Sequence, residues 1–393
     1  MPVKPPRRWL ILILGLLAQA ANCVFAFGIP FLVPTLLASE GLSLTQAGMI
    51  VAAPSIGFVA TLILWGAAAD AFGERLIMAL GLGSSGVVIG FAAFATRDLA
   101  AQFVLFMLAG ACASSVNAAS GRVVMGWFDA TERGFAMGVR QTAQPLGMGL
   151  AGLTLPPIAD EWGLRAALWF PAGLALVVAG MVAVLVIDPP RESAGDADTS
   201  APAVSPYRGS TLWRLHGASA LLVVPQFAVS AFAPVYLVTV QHWDAVRAGW
   251  FLAGVQVFGA LGRIGAGYWS DRVGSRFRPI RQIACASAAV MLLVALGDAS
   301  WPWLVVVGLT LAAVITVSPN GLGFTAAAEL AGRAWSGRAM GVQNTIQTMT
   351  SATTPPVLGL VIVSGGGYAA AFCVAAVFPA VAVVLVPAST SRG

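Results

Sequence analysis

One arginine stands out as a possible anion receptor in an apolar part of the sequence. Arg263 lies in "GRIGAGYWSD", eight residues before Asp271, within a run long enough to span a membrane. In a medium of low dielectric constant, a guanidinium binds a carboxylate through two parallel hydrogen bonds. Because charges are costly inside such runs, we interpret Arg263 either as a ligand for a carboxylate or as the partner of an acidic side chain.

Three other charged side chains lie inside apolar runs, namely Arg122, Arg140 and Glu329. Each stands one to two helical turns from an end of its run, where a long side chain can reach the membrane surface. We expect Arg122 to do so, with a functional role as the alternative. We expect Glu329 to pair with an arginine, with proton coupling as the alternative. Arg140 is a candidate for substrate binding, and a structural role for it remains open.

Neutral polar side chains recur near the middle of the apolar runs. Such residues either line a binding site or join neighbouring helices through hydrogen bonds. Beside Arg263 and Arg140, the candidate substrate ligands are Asn22, Asn117, Gln144, Gln226, Gln256, Asn320, Asn344 and Gln347. The four cysteines have no metal-ligand spacing, and we expect neither a metal nor a cofactor.

The elements that position these residues are predicted to be membrane-spanning helices. Of the 393 residues, 58% are hydrophobic and 9% are charged, whereas soluble domains carry about 25% charged residues. A helix satisfies its own backbone in lipid, so we predict an all-α membrane protein. The twelve predicted spans are 9–37, 44–69, 76–95, 99–127, 134–158, 166–187, 216–241, 246–270, 281–299, 302–331, 339–363 and 368–388.

The distribution of Lys and Arg predicts the orientation. Fifteen of these residues fall in loops or termini on one side, and only Arg97, Arg165 and Arg247 fall in loops on the other. By the positive-inside rule, both termini are cytoplasmic in a multi-pass protein of the cytoplasmic membrane. The net charge of +5 therefore reflects the topology of the chain in the lipid bilayer, and no nucleic-acid partner is expected.

The sequence contains an internal repeat. Residues 44–75 align without a gap on 245–276, with identities such as Gly66 with Gly267 and Asp70 with Asp271. "RGFAMGVRQTAQ" at 133–144 matches "SGRAMGVQNTIQ" at 336–347 in the same way. We therefore predict two parallel six-helix repeats, at 1–187 and 216–393. A cytoplasmic linker at 188–215, rich in Pro, Ser, Ala and Asp, separates them.

These features resemble the major facilitator superfamily. The resemblance rests on twelve spans, a central linker and the motif G-x3-D-R-x-G-x-R, which is intact at 267–276 and lacks its first Arg at 66–75, where Ala71 stands. It implies that Asp70 braces the start of span 11 and Asp271 the start of span 5, while spans 1, 4, 7 and 10 line a central cavity. The implied gating residues are Asp70, Gly73, Arg75, Asp271, Arg272, Gly274 and Arg276; the alternative is that these charges only set the topology.

The pattern Arg-x3-Gly-x3-Asp at 263–271 is similar to span 8 of the monocarboxylate and oxalate carriers of that superfamily. It implies a secondary transporter, working as a monomer by symport or antiport, that carries a small, carboxylate-like organic anion by alternating access. An efflux carrier for neutral or lipophilic compounds is the alternative, with Phe25, Phe27, Phe232, Tyr236 and Trp250 as candidate lining residues. An enzyme is not expected, because no acid, base or metal-ligand set is clustered in the sequence.

Overall fold

The computed structural model describes residues 7–38, 44–95, 98–189, 205–243, 245–332 and 335–387. Within these ranges every regular element is a helix, as the apolar runs predict. The α-helices are α1 (Arg8–Ala26), α2 (Val33–Ala38), α3 (Leu44–Phe72), α4 (Glu74–Ala92), α5 (Leu99–Trp127), α6 (Arg133–Gln141), α7 (Ala143–Leu185), α8 (Ser210–Thr239), α9 (Ala245–Val273), α10 (Phe277–Ser300), α11 (Pro302–Ile315), α12 (Pro319–Ala331), α13 (Ser336–Val361) and α14 (Gly367–Leu385).

These helices account for twelve spans. Among the described residues, nine helical stretches are long and apolar enough to cross a membrane. Two of them, Arg133–Leu185 and Ser336–Leu385, contain 53 and 50 residues and hold two spans each, divided at Gly163 and at Gly365. The helix α9, which carries Arg263, Asp271 and Arg272, lies outside that group and completes the set of twelve.

The repeat is visible in the helix bounds. Both α3 and α9 contain 29 residues, and their ends differ by the 201 positions that separate the repeated motifs. The repeat is not perfect, because α5 is one continuous helix whereas its counterpart is broken into α11 and α12. The fold is therefore two six-helix repeats with local departures.

Two glycines make the motif loops tight. Gly73, between α3 and α4, has φ of 98°, and Gly274, between α9 and α10, has φ of 64°. Residues other than glycine rarely adopt a positive φ, because their Cβ atom then clashes with the backbone. Both motif loops are therefore tight turns that depend on glycine.

The described residues divide into two compact units. Unit 1 draws on Met1–Phe128, Thr142–Val204 and Gly332–Asn344, and unit 2 on Asp129–Gln141, Ser205–Ala331 and Thr345–Gly393. The packing thus assigns α6 to unit 2 and the start of α13 to unit 1, although the repeat would divide them otherwise. The boundaries at 187 and 216 stay a prediction, and residues 190–204 of the predicted linker lie outside the described residues.

Small residues let helices cross closely within unit 1. A Cβ added to Gly110 of α5 would overlap the carbonyl oxygen of Pro54 of α3, and one added to Gly57 would overlap that of Met107. Polar bonds follow the same crossing, since Thr61 Oγ1 and Trp65 Nε1 donate to the carbonyl oxygen of Ala111 at 2.8 and 2.7 Å. Close backbones and hydrogen bonds join helices in lipid, where the hydrophobic effect does not.

The close crossing at Gly110 predicts that a larger side chain at this position destabilises the protein. We expect Gly110→Ala to lower the free energy of unfolding by about 1–3 kcal/mol, because the added methyl group meets backbone atoms that cannot move aside. Gly149→Ala is the matched control, since a Cβ there meets nothing within 4 Å. Thermal unfolding of both variants in detergent tests this expectation, and equal melting temperatures would contradict it.

Candidate functional site: two charge networks and a set of buried polar groups

In unit 1, Asp70 holds the start of α13. The backbone N–H of Gly337 donates to its Oδ1 at 2.9 Å, and that of Arg338 donates to its Oδ2 at 3.1 Å. The first N–H groups of a helix have no partner inside the helix and carry a partial positive charge. A carboxylate at this position accepts hydrogen bonds from these N–H groups and balances their partial positive charge. This is the placement that the family resemblance implies.

Arg122 of α5 neutralises this carboxylate. Its Nη1 pairs with Asp70, and its Nε donates to Glu74 Oε1 at 2.5 Å; the Arg122 side chain is only 13% exposed. The expectation that Arg122 reaches the membrane surface is therefore wrong, because two carboxylates bind it inside the protein. Sequence reasoning missed Glu74 as well, and its only signal was its position directly after Gly73.

In unit 2, Asp271 holds the start of α6 in the same way. The N–H groups of Gly134 and Phe135 donate to its two oxygens at 2.9 and 2.7 Å. Arg276 Nη1 donates to Asp271 Oδ1 at 2.5 Å, while its Nη2 donates to Glu329 Oε1 at 3.1 Å. The prediction that Glu329 pairs with an arginine is confirmed. Burial alone would lower the pKa of Arg276, but its bonds to Glu329 and Asp271 raise it above its ordinary value.

The arginines that neutralise the two networks come from different parts of the chain. Arg276 belongs to the motif itself, whereas its repeat mate Arg75 is exposed and contributes its backbone N–H, which donates to Asp188 Oδ1 at 2.7 Å. Arg122 takes over the role of the cation in unit 1. The exposed Arg272 lies over the ring of Tyr268, with 4.9 Å from its Cζ to the ring centroid.

Glycines bring the carboxylates within reach of the helix starts. In unit 2, a Cβ on Gly267 would overlap the carbonyl oxygen of Gly134. In unit 1, a Cβ on Gly66 would stand 2.5 Å from the carbonyl oxygen of Gly337. A larger side chain at these positions would force the helices apart and break the aspartate contacts.

A cavity of about 500 Å³ adjoins the network of unit 2. Asp271, Arg276 and Glu329 line it together with Ser275 and Thr131. It lies at the motif loop and contains none of the predicted substrate ligands.

Two buried arginines lie on packed helices of unit 2. Arg140 of α6 is 2% exposed and Arg263 of α9 is 4% exposed. The helices touch at this level, because a Cβ on Gly138 would stand 2.6 Å from the carbonyl oxygen of Arg263. Arg140 also lies over the ring of Phe324 of α12, 5.9 Å from its centroid. Their repeat mates, Gln343 for Arg140 and Leu62 for Arg263, both lie in unit 1.

Four of the predicted amide ligands form two pairs. In unit 1, Asn22 Nδ2 donates to Asn117 Oδ1 at 3.5 Å, and in unit 2, Asn320 Nδ2 donates to Gln226 Oε1 at 3.0 Å. Asn22 and Gln226 are 4% and 5% exposed. We call these two pairs the amide dyads.

The remaining predicted ligands are placed less uniformly. Asn344, in unit 1, is buried, whereas Gln144 of unit 1 and Gln347 of unit 2 are half-buried. Gln256 is exposed on α9. The assignment of all these residues to substrate binding, and of the motif residues to gating, stays a prediction.

Two aromatic residues proposed for the alternative function are used in packing. Phe25 is buried in the core of unit 1, with its ring centroid 5.5 Å from that of Phe106. Tyr236 is buried in unit 2, where its hydroxyl donates to Asp298 Oδ1 at 2.7 Å. Trp250, in contrast, is 77% exposed.

Comparison with known proteins gives a family and several relatives. The family described as Major Facilitator Superfamily matches residues 15–355. An uncharacterized MFS-type transporter of Mycobacterium tuberculosis (strain ATCC 25618 / H37Rv) is 42% identical over 387 residues, 98% of this chain and 86% of the relative. The glycerol-3-phosphate transporter of Bacillus subtilis (strain 168) is 25% identical over 302 residues, 69% of this chain and 66% of the relative. The crystal structure of the human organic anion transporter MFSD10 (TETRAN) has a similar fold, with a TM-score of 0.77 and 18% identity over 98% of this chain and 100% of that chain.

The different origin of the two cations predicts different roles for Arg75 and Arg122. Arg122→Gln removes the buried cation that Asp70 and Glu74 share and leaves Asp70 only the half-exposed Arg338 at 3.8 Å among the described residues. We expect this change to cost about 3–5 kcal/mol of unfolding free energy. Arg75→Gln keeps the backbone bond to Asp188 and should change stability little. Unfolding in detergent, followed by circular dichroism, compares the two variants. A larger loss for Arg75→Gln would contradict the pairing described for unit 1.

Proposed function

Because the chain belongs to the Major Facilitator Superfamily, we propose that it is a secondary active transporter for a small organic anion that carries a carboxylate or a similar group. As a member of this family it is a multi-pass membrane transporter of a small molecule and not an enzyme. We place the protein in the cytoplasmic membrane, as a monomer with both termini inside. We propose that it moves the anion by alternating access.

The observation that carries the anion assignment is the burial of Arg140 and Arg263 on packed helices of one unit. A charge at membrane depth is costly, so its retention favours a functional role. Two guanidiniums offer a planar set of donors that matches a carboxylate or phosphate. Their repeat mates in unit 1, Gln343 and Leu62, carry no charge, which indicates that packing of the shared fold does not require the two arginines.

One relative supports the anionic class. The glycerol-3-phosphate transporter of Bacillus subtilis is named for an anionic substrate, and its match covers 69% of this chain. We propose by analogy that the present substrate also carries a negative charge. A carrier for neutral or lipophilic compounds is the alternative, but two of its candidate lining residues, Phe25 and Tyr236, are already engaged in packing.

We propose further that Asp70 and Asp271 operate the gate. Each carboxylate holds the start of a helix segment whose chain then passes into the other unit, α13 after Asn344 and α6 into α7. Release of these N–H groups would free the junctions to move during transport. The remaining motif residues, Gly73, Arg75, Arg272, Gly274 and Arg276, shape or charge the two loops that present the carboxylates.

The charge of Arg263 separates the two candidate functions. We expect Arg263→Lys to weaken transport, because the charge stays but the planar fork is lost. Arg263→Gln should lower apparent affinity roughly ten- to hundredfold, since a hydrogen bond to a charged group contributes about 1.5–3 kcal/mol. Uptake of a panel of labelled carboxylates into proteoliposomes measures this.

Arg278→Gln is a matched control for Arg263→Gln, because it removes the charge of an arginine that is exposed. All variants must be reconstituted in equal amounts. Full transport of an organic acid by Arg263→Gln would remove the role assigned to this arginine. Transport of neutral compounds alone would favour the efflux carrier.

The gate proposal predicts a shift in conformation when the carboxylates lose their charge. In Asp70→Asn/Asp271→Asn, weaker helix-start contacts, each contributing about 0.3–1 kcal/mol and up to ~2 if partly buried, should favour the inward-open state. A single cysteine introduced at Gln347 in a cysteine-free background should then react faster with maleimide from the cytoplasmic side. Asp188→Asn is the control, since among the described residues this carboxylate accepts one backbone N–H bond, that of Arg75. Unchanged reactivity in the double variant would reject the gate.

A further inference from the structure

The buried network of unit 1 holds more negative than positive charge. Asp70 and Glu74 both pair with Arg122, and their side chains are only 6% and 1% exposed. Arg338 lies farther away, with its Nε 3.8 Å from Asp70 Oδ2, and its side chain is 39% exposed, so solvent screens its charge. One buried guanidinium therefore faces two buried carboxylates.

Glu74 is the carboxylate of this network that has an unsatisfied oxygen. Its Oε1 accepts a hydrogen bond from Arg122 Nε at 2.5 Å, whereas its Oε2 is buried and accepts none from the described residues. Asp70 differs, because each of its oxygens accepts a backbone N–H bond from the start of α13. A buried, charged oxygen without a hydrogen bond costs free energy, and a proton bound to it removes the charge. Glu74 Oε2 is therefore the atom of this network that is best placed to bind a proton.

The second carboxylate of the network in unit 2 has both oxygens occupied. Glu329 Oε1 accepts a hydrogen bond from Arg276 Nη2 at 3.1 Å, and Glu329 Oε2 accepts one from Arg276 Nε at 3.3 Å. Two parallel bonds of this kind match an ionised carboxylate. The two networks thus differ at the carboxylate that does not hold a helix start.

Charged groups from several elements surround Glu74. In the described part of unit 1 they are Asp70 of α3, Arg75 of α4, Arg122 of α5, Asp188 after α7 and Arg338 of α13. Burial and the negative charges of Asp70 and Asp188 favour a protonated Glu74. Arg122 and the positive start of α4 favour the ionised form. Opposing effects of this kind allow a carboxyl group to change its charge when its surroundings change.

We propose that Glu74 is a proton-binding site that strengthens the contact between Asp70 and the start of α13, so that protons on the cytoplasmic side control this gate. This inference rests on the proposed function, in which the Asp70 contact operates as a gate. A proton on Glu74 Oε2 leaves one carboxylate with one guanidinium, and the buried network becomes neutral.

The direction of the pH effect follows from where the proton is bound. When the contact opens and water reaches Glu74, the carboxyl group is hydrated and its O–H bond breaks, with water as the proton acceptor. The proton is thus bound in the packed form and released in the open form. The packed form is therefore favoured at low pH and weakened as the pH rises.

Hydrogen exchange of the purified full-length protein in detergent tests this inference, because it reports on the N–H groups of Gly337 and Arg338 that Asp70 binds. Glu74→Gln is neutral at every pH and resembles the protonated form. Over about pH 5–8, its exchange at the start of α13 should equal that of the wild type at the acid end. At the alkaline end it should be roughly tenfold slower. Comparing the two proteins at each pH cancels the intrinsic pH dependence of exchange.

Infrared spectroscopy gives a second measurement. The carbonyl stretch of a buried, protonated carboxyl group should be present in the wild type at low pH, disappear as the pH rises, and be absent from Glu74→Gln. If that variant does not fold, wild-type protein with an isotope label at the side-chain carboxyl carbon of glutamate replaces it. The band should then shift, and an unshifted band would overturn the inference.

Glu161→Gln is the matched control, because it makes the same substitution at an exposed carboxylate of α7 in unit 1. It should keep both the infrared band and the pH-dependent exchange of the wild type. Loss of either in this variant would overturn the assignment to Glu74.

The outcomes separate the proton site from the gate on which it rests. Exchange that follows pH equally in the wild type and in Glu74→Gln would overturn the proton site, and faster exchange in Asp70→Asn would leave the gate contact standing. Unchanged exchange in Asp70→Asn would remove the gate contact, and the proton site with it. No substrate is added, so the anion assignment is judged separately by the Arg263 variants.

Discussion

The start of a helix must find partners for its first N–H groups, and in lipid those partners must come from the protein. At two helix starts this need is met by Asp70 and Asp271, each of which accepts two backbone N–H bonds. Such bonds require the backbones to touch, so the crossing points are glycines. The short loops that present the carboxylates then need the positive φ of Gly73 and Gly274. Much of the motif therefore follows from one carboxylate-to-helix contact.

A buried carboxylate in turn requires a cation, and the two repeats supply it differently. The Asp271 network uses Arg276 of its own motif, and Glu329 balances that arginine. The Asp70 network takes Arg122 from α5, and Glu74 balances it. Both solutions place two carboxylates around one guanidinium. Duplication thus preserved the backbone contact, while the side chains that neutralise it diverged.

The same contrast extends to the buried polar groups. The amide pairs occur in both units, at Asn22–Asn117 and Gln226–Asn320. The buried guanidiniums Arg140 and Arg263 both lie in unit 2, and their repeat mates in unit 1, Gln343 and Leu62, carry no charge. The two units thus share the amide pairs and differ in the buried charge.

Much of this architecture follows from the sequence alone. The length of the apolar runs determined the helical class and the twelve spans, because lipid leaves a spanning chain few other structures. The internal repeat determined the correspondence of α3 with α9. The pairing of Glu329 was also predictable, since an isolated carboxylate in an apolar run needs a cation.

Other features depended on which helices meet in three dimensions. Only the tertiary structure decided that Arg122 pairs with Asp70 and Glu74 while Arg75 stays exposed. It also decided that α6 packs in unit 2, that the start of α13 packs in unit 1, and that Gln256 is exposed. Periodicity and composition report how apolar each segment is, but not which distant segment it contacts. The partner of a buried charge is set by that long-range packing, and it therefore could not be read from the sequence.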